Sequence, residues 1–226
     1  MYWKRGGFLE LYRVTYWCHH FVKNQVKKGD ICIDATAGNG HDTLLLCSLV
    51  EGSNKDGRDS YMQIEKGFVE KSVGRHNEKN GGKVYSFDIQ MKALEATKEK
   101  VLASGFSKEL ILINDGHENI RKHIPASEQG LVSCVMFNFG YLPGGDHNIV
   151  TKEKTSIKAI EASLDVLKRG GLVSLCIYSS KEMGHAEKDA ILAWLKMLDS
   201  QKYLVIVSEY YNRNNDPPIP ALVYKL

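Results

Sequence analysis

A doubly wound α/β fold, with a mostly parallel sheet and an antiparallel last strand, is what these 226 residues predict. Two observations carry the prediction. Short apolar runs that read as strands alternate with amphipathic stretches of ten or more residues, the pattern of βαβ crossovers. The final connection, Asn212 to Pro220, is too short for a helical crossover, so the last two strands should pair antiparallel.

Each element follows from its own spacing. Val14, Trp17, Cys18, Phe21, Val22 and Val26 recur at helical intervals, predicting a helix over 14–28 that Gly29 stops. Ile31-Cys32-Ile33-Asp34 is a short strand closed by an acid, and 42–50 (DTLLLCSLV) reads as a buried helix. Val84 to Asp88 repeats the pattern of a strand ending in an acid. A helix over 91–104, a strand from Leu110 to Ile113 and a strong strand over 131–139 follow. A helix over 155–168 should end at Arg169-Gly170-Gly171, with strand 172–178, helix 186–200, strand 203–210 and strand 221–226 behind it.

Residues 51–83 break the rhythm, with thirteen charged side chains of nearly balanced sign and six glycines where a compact connection needs only a few residues. They read as a solvated surface insertion, with room for one short helix around 62–73. The whole chain, 1–226, is otherwise expected to form one domain around one core.

Composition narrows the function. The chain is 43% apolar and 25% charged with a formal net charge of +3, so a nucleic-acid partner is allowed through local patches rather than a general basic surface. No apolar run approaches the roughly 18 residues of a membrane-spanning helix. Charged residues interrupt the first twenty, which leaves no signal-peptide core, although their basic character permits an organelle-targeting signal. Five cysteines stand far apart without a CxxC and look like small core residues, which fits a reducing, cytoplasmic setting. The eight histidines form no HxxxH or HExxH, and no metal site is expected.

Four blocks could carry chemistry. Asp34-Ala-Thr36-Ala-Gly38-Asn39-Gly40 lies at a strand-to-helix turn, where glycines let the backbone approach a ligand and the helix start offers N–H donors. Thr43 occupies the third glycine position of a dinucleotide fingerprint, and Asp34 and Asp42 bracket the turn. Two carboxylates serve a pyrophosphate poorly and a cationic zwitterion such as S-adenosylmethionine well. Asp88, with Gln90 behind it, can accept both hydroxyls of a ribose, a device that nicotinamide enzymes share. Asn114-Asp115-Gly116-His117 should reach the same carboxyl edge. Phe137-Asn138-Phe139-Gly140-Tyr141-Leu142-Pro143-Gly144-Gly145 runs a strand into an amide, an aromatic and a tight turn, where Asn138 could hold an amine and Tyr141 could stack or pack over a cofactor. Asp216-Pro217-Pro218 resembles the tripeptide of some amino-methyltransferases but lacks the aromatic and follows the wrong strand, so it reads as a stiff loop.

Together, Asp34 to Thr43, Phe87-Asp-Ile-Gln90, Asp115-Gly-His117 and the Phe137 to Gly145 stretch resemble the family described as "putative rRNA methylase", in its MnmM-like branch. The likeness runs from about residue 20 to the C-terminus, apart from the insertion. It implies a class I S-adenosylmethionine-dependent methyltransferase fold, Rossmann-like. It also implies methylation of the amine of 5-aminomethyl-(2-thio)uridine at the tRNA wobble position, with an anticodon stem-loop as partner. By matching motif, Asn39, Asp42, Asp88, Gln90, Gly116 and His117 would contact the cofactor, together with Asp34, Thr36, Gly38, Gly40 and Thr43 of the glycine-turn block, while Asn138 and Tyr141 would face the target amine. Tyr178, Gly184 and Glu187 fit a further family stretch, but Lys181 stands where the family usually has histidine.

Two basic groups, Lys4, Arg5, Arg13, Lys23, Lys27 and Lys28 near the start and Lys152, Lys154 and Lys158 after the Asn138 loop, read either as RNA contacts or as solvated helix faces. A homodimer is left open. The competing readings are a methyltransferase acting on another nucleotide or a small molecule, a dinucleotide-dependent oxidoreductase, and a cofactor-binding module without catalysis.

Overall fold

The computed structural model describes residues 13–52, 81–140, 151–178, 185–213 and 216–226. In chain order they form α1 (Val14–Gln25), β1 (Ile31–Asp34), α2 (His41–Glu51), β2 (Lys83–Phe87), α3 (Met91–Ala103) and β3 (Leu110–Ile113). A 3₁₀ turn (His117–Asn119) leads into α4 (Ile120–His123), followed by β4 (Val132–Phe139), α5 (Glu153–Val166) and β5 (Leu167–Ile177). The chain continues through α6 (Ala186–Lys196), β6 (Tyr203–Val207) and β7 (Ile219–Lys225).

The seven strands form one sheet in the order β3-β2-β1-β4-β5-β7-β6. β1 to β5 are parallel, and β7 runs antiparallel to both β5 and β6. The antiparallel pairing was legible in the short last connection. That β7 inserts between β5 and β6 was not.

Strand alternation decides which layer each residue enters. Ile33, Tyr85, Phe87, Val135, Phe137 and Val173 face α4, α5 and α6, burying Ile120, Ile160 and Leu164 among them. Their neighbours Cys32, Val84, Cys134, Met136 and Leu172 face the other way, against Val22 of α1 and Val26 just after it, Leu46 and Cys47 of α2 and Val101 of α3. Both sheet faces are therefore covered, which is why the central strands read as unbroken apolar runs. All five cysteines are buried and free.

Several boundaries differ from expectation. α1 ends at Gln25 because Asp30 Oδ2 accepts the Lys27 N–H at 2.8 Å and draws the chain out of the helix before Gly29. α5 ends at Val166, since Leu167 turns extended (ψ 136°) to pair with Val132. Arg169-Gly170-Gly171 is thus no helix terminator. It lies in an irregular stretch of β5, where the register jumps between Val132–Leu167 and Cys134–Leu172. α6 stops at Lys196, and an Asp199 turn that accepts the Gln201, Lys202 and Tyr203 N–H groups leads into β6. β6 is shorter than expected, and β7 starts earlier and takes in Pro220. Residues 53–80 of the expected insertion, with the proposed helix at 62–73, lie outside the described residues.

Candidate active site

The strand order reverses between β1 and β4, so their carboxyl ends open a crevice at the switch point. The β1–α2 turn lines it. Gly38 (φ +52°) and Gly40 (φ +74°) take left-handed conformations, and at Gly40 a Cβ would sit 2.8 Å from the backbone Cα of Thr97. The turn is fastened to the end of β2 by Ala37 N–H to Phe87 C=O (2.8 Å) and Gly38 N–H to Asp88 Oδ2 (3.0 Å). Asn39 stands exposed at its tip.

Asp34 and Thr43, both marked by the sequence as cofactor contacts, lie beneath this turn and not on its surface. Both are fully buried. Asp34 Oδ2 accepts the Thr43 hydroxyl (2.5 Å), Oδ1 accepts the Thr36 N–H (3.1 Å), and Thr43 Oγ1 lies 2.8 Å from Ser86 Oγ. Burial, aided by the Asp42 charge, raises the Asp34 carboxyl to about 7. Its position makes it a support for the glycine turn. Thr36 Oγ1 in turn accepts the Asn138 N–H at 2.8 Å and ties β4 to the same turn.

Asp88 is half-buried at the crevice, its Oδ1 accepting the Gln90 N–H (2.8 Å) and its Oδ2 that of Gly38. Each oxygen keeps a second lone pair, so two ribose hydroxyls can still be accepted. Asn114 Nδ2 donates to the carbonyls of Asp88 and Ile89, both at 3.0 Å, and fixes this loop. Asp115 turns away, receiving the Gly116 N–H and the side chains of Asn119 and His123, whose hydrogen bond holds its carboxyl below the ordinary value. His117 packs edge-on against Phe137 and Phe139, at 5.8 and 6.1 Å. Burial lowers its basicity and so favours the uncharged ring.

Across the crevice, Asp42 joins two elements. Its Oδ2 accepts Asn138 Nδ2 at 2.7 Å, and its Oδ1 accepts His19 Nε2 at 2.6 Å. Burial opposes the charge on Asp42, but the His19 bond and charge and the Asn138 amide prevail and hold the carboxyl below its ordinary range. Because a carboxylate can only accept, the amide must present nitrogen to it, and that leaves Asn138 Oδ1 as the group able to receive a donor. His19 was not singled out by the sequence. The one signal was its place beside Cys18, on the border of the buried Val14–Cys18–Val22 stripe of α1.

A clasp joins Gly140 to Thr151. Gly140 N–H donates to Thr151 Oγ1 (2.9 Å) and Thr151 N–H to Gly140 C=O (3.1 Å). Glu187 of α6 accepts the hydroxyls of Thr151 (2.8 Å) and Ser156 (2.6 Å). Tyr178 continues the frame, its N–H bonded to Phe139 C=O at 3.2 Å. Tyr141, Lys181 and Gly184 lie outside the described residues. Asp216 pairs with Lys188 (2.5 Å) and His185 (3.2 Å) at the start of α6, so the Asp-Pro-Pro stretch anchors the β6–β7 connection to that helix. Among the described residues, no cluster of three or more His, Cys, Asp or Glu could hold a metal, and no helix is long and apolar enough to cross a membrane.

Strand order, glycine turn and acids at the ends of β1 and β2 define a class I methyltransferase fold, Rossmann-like with an antiparallel last strand. Residues 84–224 match the family described as "Putative rRNA methylase", and the chain belongs to that family. A solved structure from Clostridium thermocellum, described as a "putative rRNA-methylase", is 35% identical, with a TM-score of 0.78 over 95% of this chain and 98% of that one. A Streptococcus mutans protein described as a "putative methyltransferase" and solved with S-adenosylhomocysteine is 31% identical, with a TM-score of 0.73 over the same shares. The chloroplastic tRNA (mnm5s2U34)-methyltransferase of Arabidopsis thaliana is 34% identical over 91% of this chain, which spans 66% of that protein's length.

Proposed function

We propose that this protein is an S-adenosylmethionine-dependent tRNA methyltransferase acting on the amine of 5-aminomethyl-(2-thio)uridine in the wobble position of an anticodon stem-loop. The reading is carried by Asn138, whose amide is turned by Asp42 so that an oxygen acceptor is presented at the switch-point crevice. The similarity to a tRNA methyltransferase over 91% of the chain supports it.

The crevice suits the cofactor by its donor set. Asp88 offers two oxygens for ribose hydroxyls, Gly38 and Gly40 bring backbone close, and the Asp42 carboxylate favours a cationic ligand over a pyrophosphate. In this reading Asn39, Gln90, Gly116 and His117 line the cofactor side, with Tyr141 beside the target. When bound, S-adenosylmethionine supplies the electrophilic methyl group. The chain supplies the rest. An aliphatic amine with a pKa near that of lysine, about 10, is protonated at neutral pH and has no lone pair to attack with. Desolvation in the crevice favours loss of that proton. Asn138 Oδ1 accepts one remaining N–H and aims the lone pair. The amine thus loses one proton and gains one methyl group, and no cysteine nucleophile is needed.

A reducing compartment, the cytoplasm in our reading, fits the five buried free thiols. The test is nucleoside mass spectrometry of tRNA incubated with protein and S-adenosylmethionine. Conversion of the 5-aminomethyl to the methylaminomethyl nucleoside is expected. An unchanged 5-aminomethyl nucleoside, with S-adenosylhomocysteine binding intact, overturns the substrate.

A further inference from the structure

We infer that the outer face of α1 is the platform on which unpaired bases of the RNA substrate stack, an inference that rests on the RNA reading above and extends it to a surface. α1 buries Val14, Cys18 and Val22 and turns its other side outward. On that side Tyr16 and Trp17 are 41% and 42% exposed. Trp17 and Phe21 lie near-parallel (25°) with centroids 6.4 Å apart, and His20 meets Phe21 edge-on at 5.6 Å. Lys23 stands exposed on the following turn and Lys27 just beyond the helix end, where its Nζ donates to Asn24 C=O (3.1 Å), and no acidic residue occurs between Arg13 and Asp30.

Flat aromatic surface followed by cations is the chemistry that holds single-stranded nucleic acid. Bases stack on the rings whatever their identity, and lysines track the phosphates. Charge makes RNA the occupant. An all-basic flank would repel a second copy of itself in an isologous contact. The opposite flank of the same helix places His19 on Asp42 at 2.6 Å, so α1 itself borders the crevice where the target base must enter. A loop whose neighbouring bases stack on α1 can turn one nucleotide inward toward Asn138.

The experiment measures affinity of the full chain for a synthetic anticodon stem-loop RNA and for a fully paired duplex of the same composition, across a salt series. Calorimetry with S-adenosylhomocysteine runs alongside. Trp17→Ala is expected to weaken stem-loop binding roughly tenfold and to leave duplex binding unchanged, because only unpaired bases can stack. Trp17→Phe should recover most of that loss. Lys23→Gln with Lys27→Gln should lower the slope of log affinity against log salt by about 0.7 per lysine. S-adenosylhomocysteine affinity stays at the wild-type value in each variant. Stem-loop affinity within about twofold of wild type in both the tryptophan and the lysine variants would overturn the platform. So would a dimer that the variants convert to monomer by sedimentation, which marks α1 as a contact between copies. A wild-type chain that binds S-adenosylhomocysteine but no RNA at any salt instead removes the RNA reading itself. Should Trp17→Ala fail to fold, the lysine pair and Trp17→Phe decide.

Discussion

Two buried carboxylates, eight positions apart, sit on opposite sides of the glycine turn and behave in opposite ways. Asp34, on the floor, is bonded to the Thr43 hydroxyl and a backbone N–H, and its carboxyl is raised to about 7. Asp42, in the wall, is bonded to His19 and Asn138, and its carboxyl is lowered. Both lose water, so burial does not separate them. The partners do: neutral donors leave the desolvation of Asp34 uncompensated, whereas an imidazole that can carry charge offsets that of Asp42. A floor that tolerates neutrality and a wall that holds an anion are what a turn needs when it must be rigid beneath and attract a cation above.

The comparison breaks most sharply at the wall. Asp42→Asn removes the charge and lets the Asn138 amide turn. Methyl transfer is expected to fall about 100-fold in kcat with the fold intact by circular dichroism, the scale of a misaimed nucleophile. Activity close to wild type would mean that the amide needs no carboxylate to orient it.

On the floor the loss should appear in stability. Asp34→Ala strips the acceptor from Thr43 Oγ1 and the Thr36 N–H, for an expected cost of about 1–3 kcal/mol in denaturant melts. Asp34→Asn isolates the charge. Because the folded carboxyl is raised above its ordinary 3.8, the folded state binds the proton more tightly than the unfolded chain. The contribution of Asp34 to stability is then full below pH 3.8 and declines as pH climbs toward about 7. Asp34→Asn should flatten that decline in melts across this range. An unaltered slope would assign it to other groups.

Gly40→Ala tests the backbone that joins floor to wall. A methyl at φ +74°, 2.8 Å from the Thr97 backbone, is expected to cost about 1–3 kcal/mol and lower the melting temperature. His19→Ala is the gentlest probe, with kcat falling about tenfold at unchanged S-adenosylhomocysteine affinity. With the imidazole gone, burial acts on Asp42 unopposed by its main partner, so its pKa climbs. The acid limb of the pH–rate profile should therefore move to higher pH. A limb that stays in place would show that His19 is structural only.

Much of this wall was readable from residue spacing, and the exception is instructive. Asp42 and Asn138 stood out because each lies in a recognisable block at a strand end or helix start. His19 did not, since it comes from a helix 23 positions upstream whose packing across β5 and β7 no local pattern encodes. The same holds for Asp34 and Thr43. Their block was clear, but only the pleat of β1 and the first turn of α2 decide that they point beneath the loop. Element types were legible and their ends less so, because ends were set by distant partners. Asp30 pulled α1 out of its helix, and Val132 recruited Leu167 into β5.

By itself the sequence determined the alternation of strands and helices, the glycine turn, the acids that close β1 and β2, the amide near the end of β4 and the antiparallel final pair. These are local: periodicity, turn chemistry and connection length act within a few residues. Tertiary structure alone decided that β7 slots between β5 and β6, that Asp34 is a support while Asp42 faces the crevice, and that His19 completes the wall. Such outcomes depend on which surfaces meet when both sheet faces are covered, and desolvation, the force that sets the two carboxyls apart, exists only once they have met.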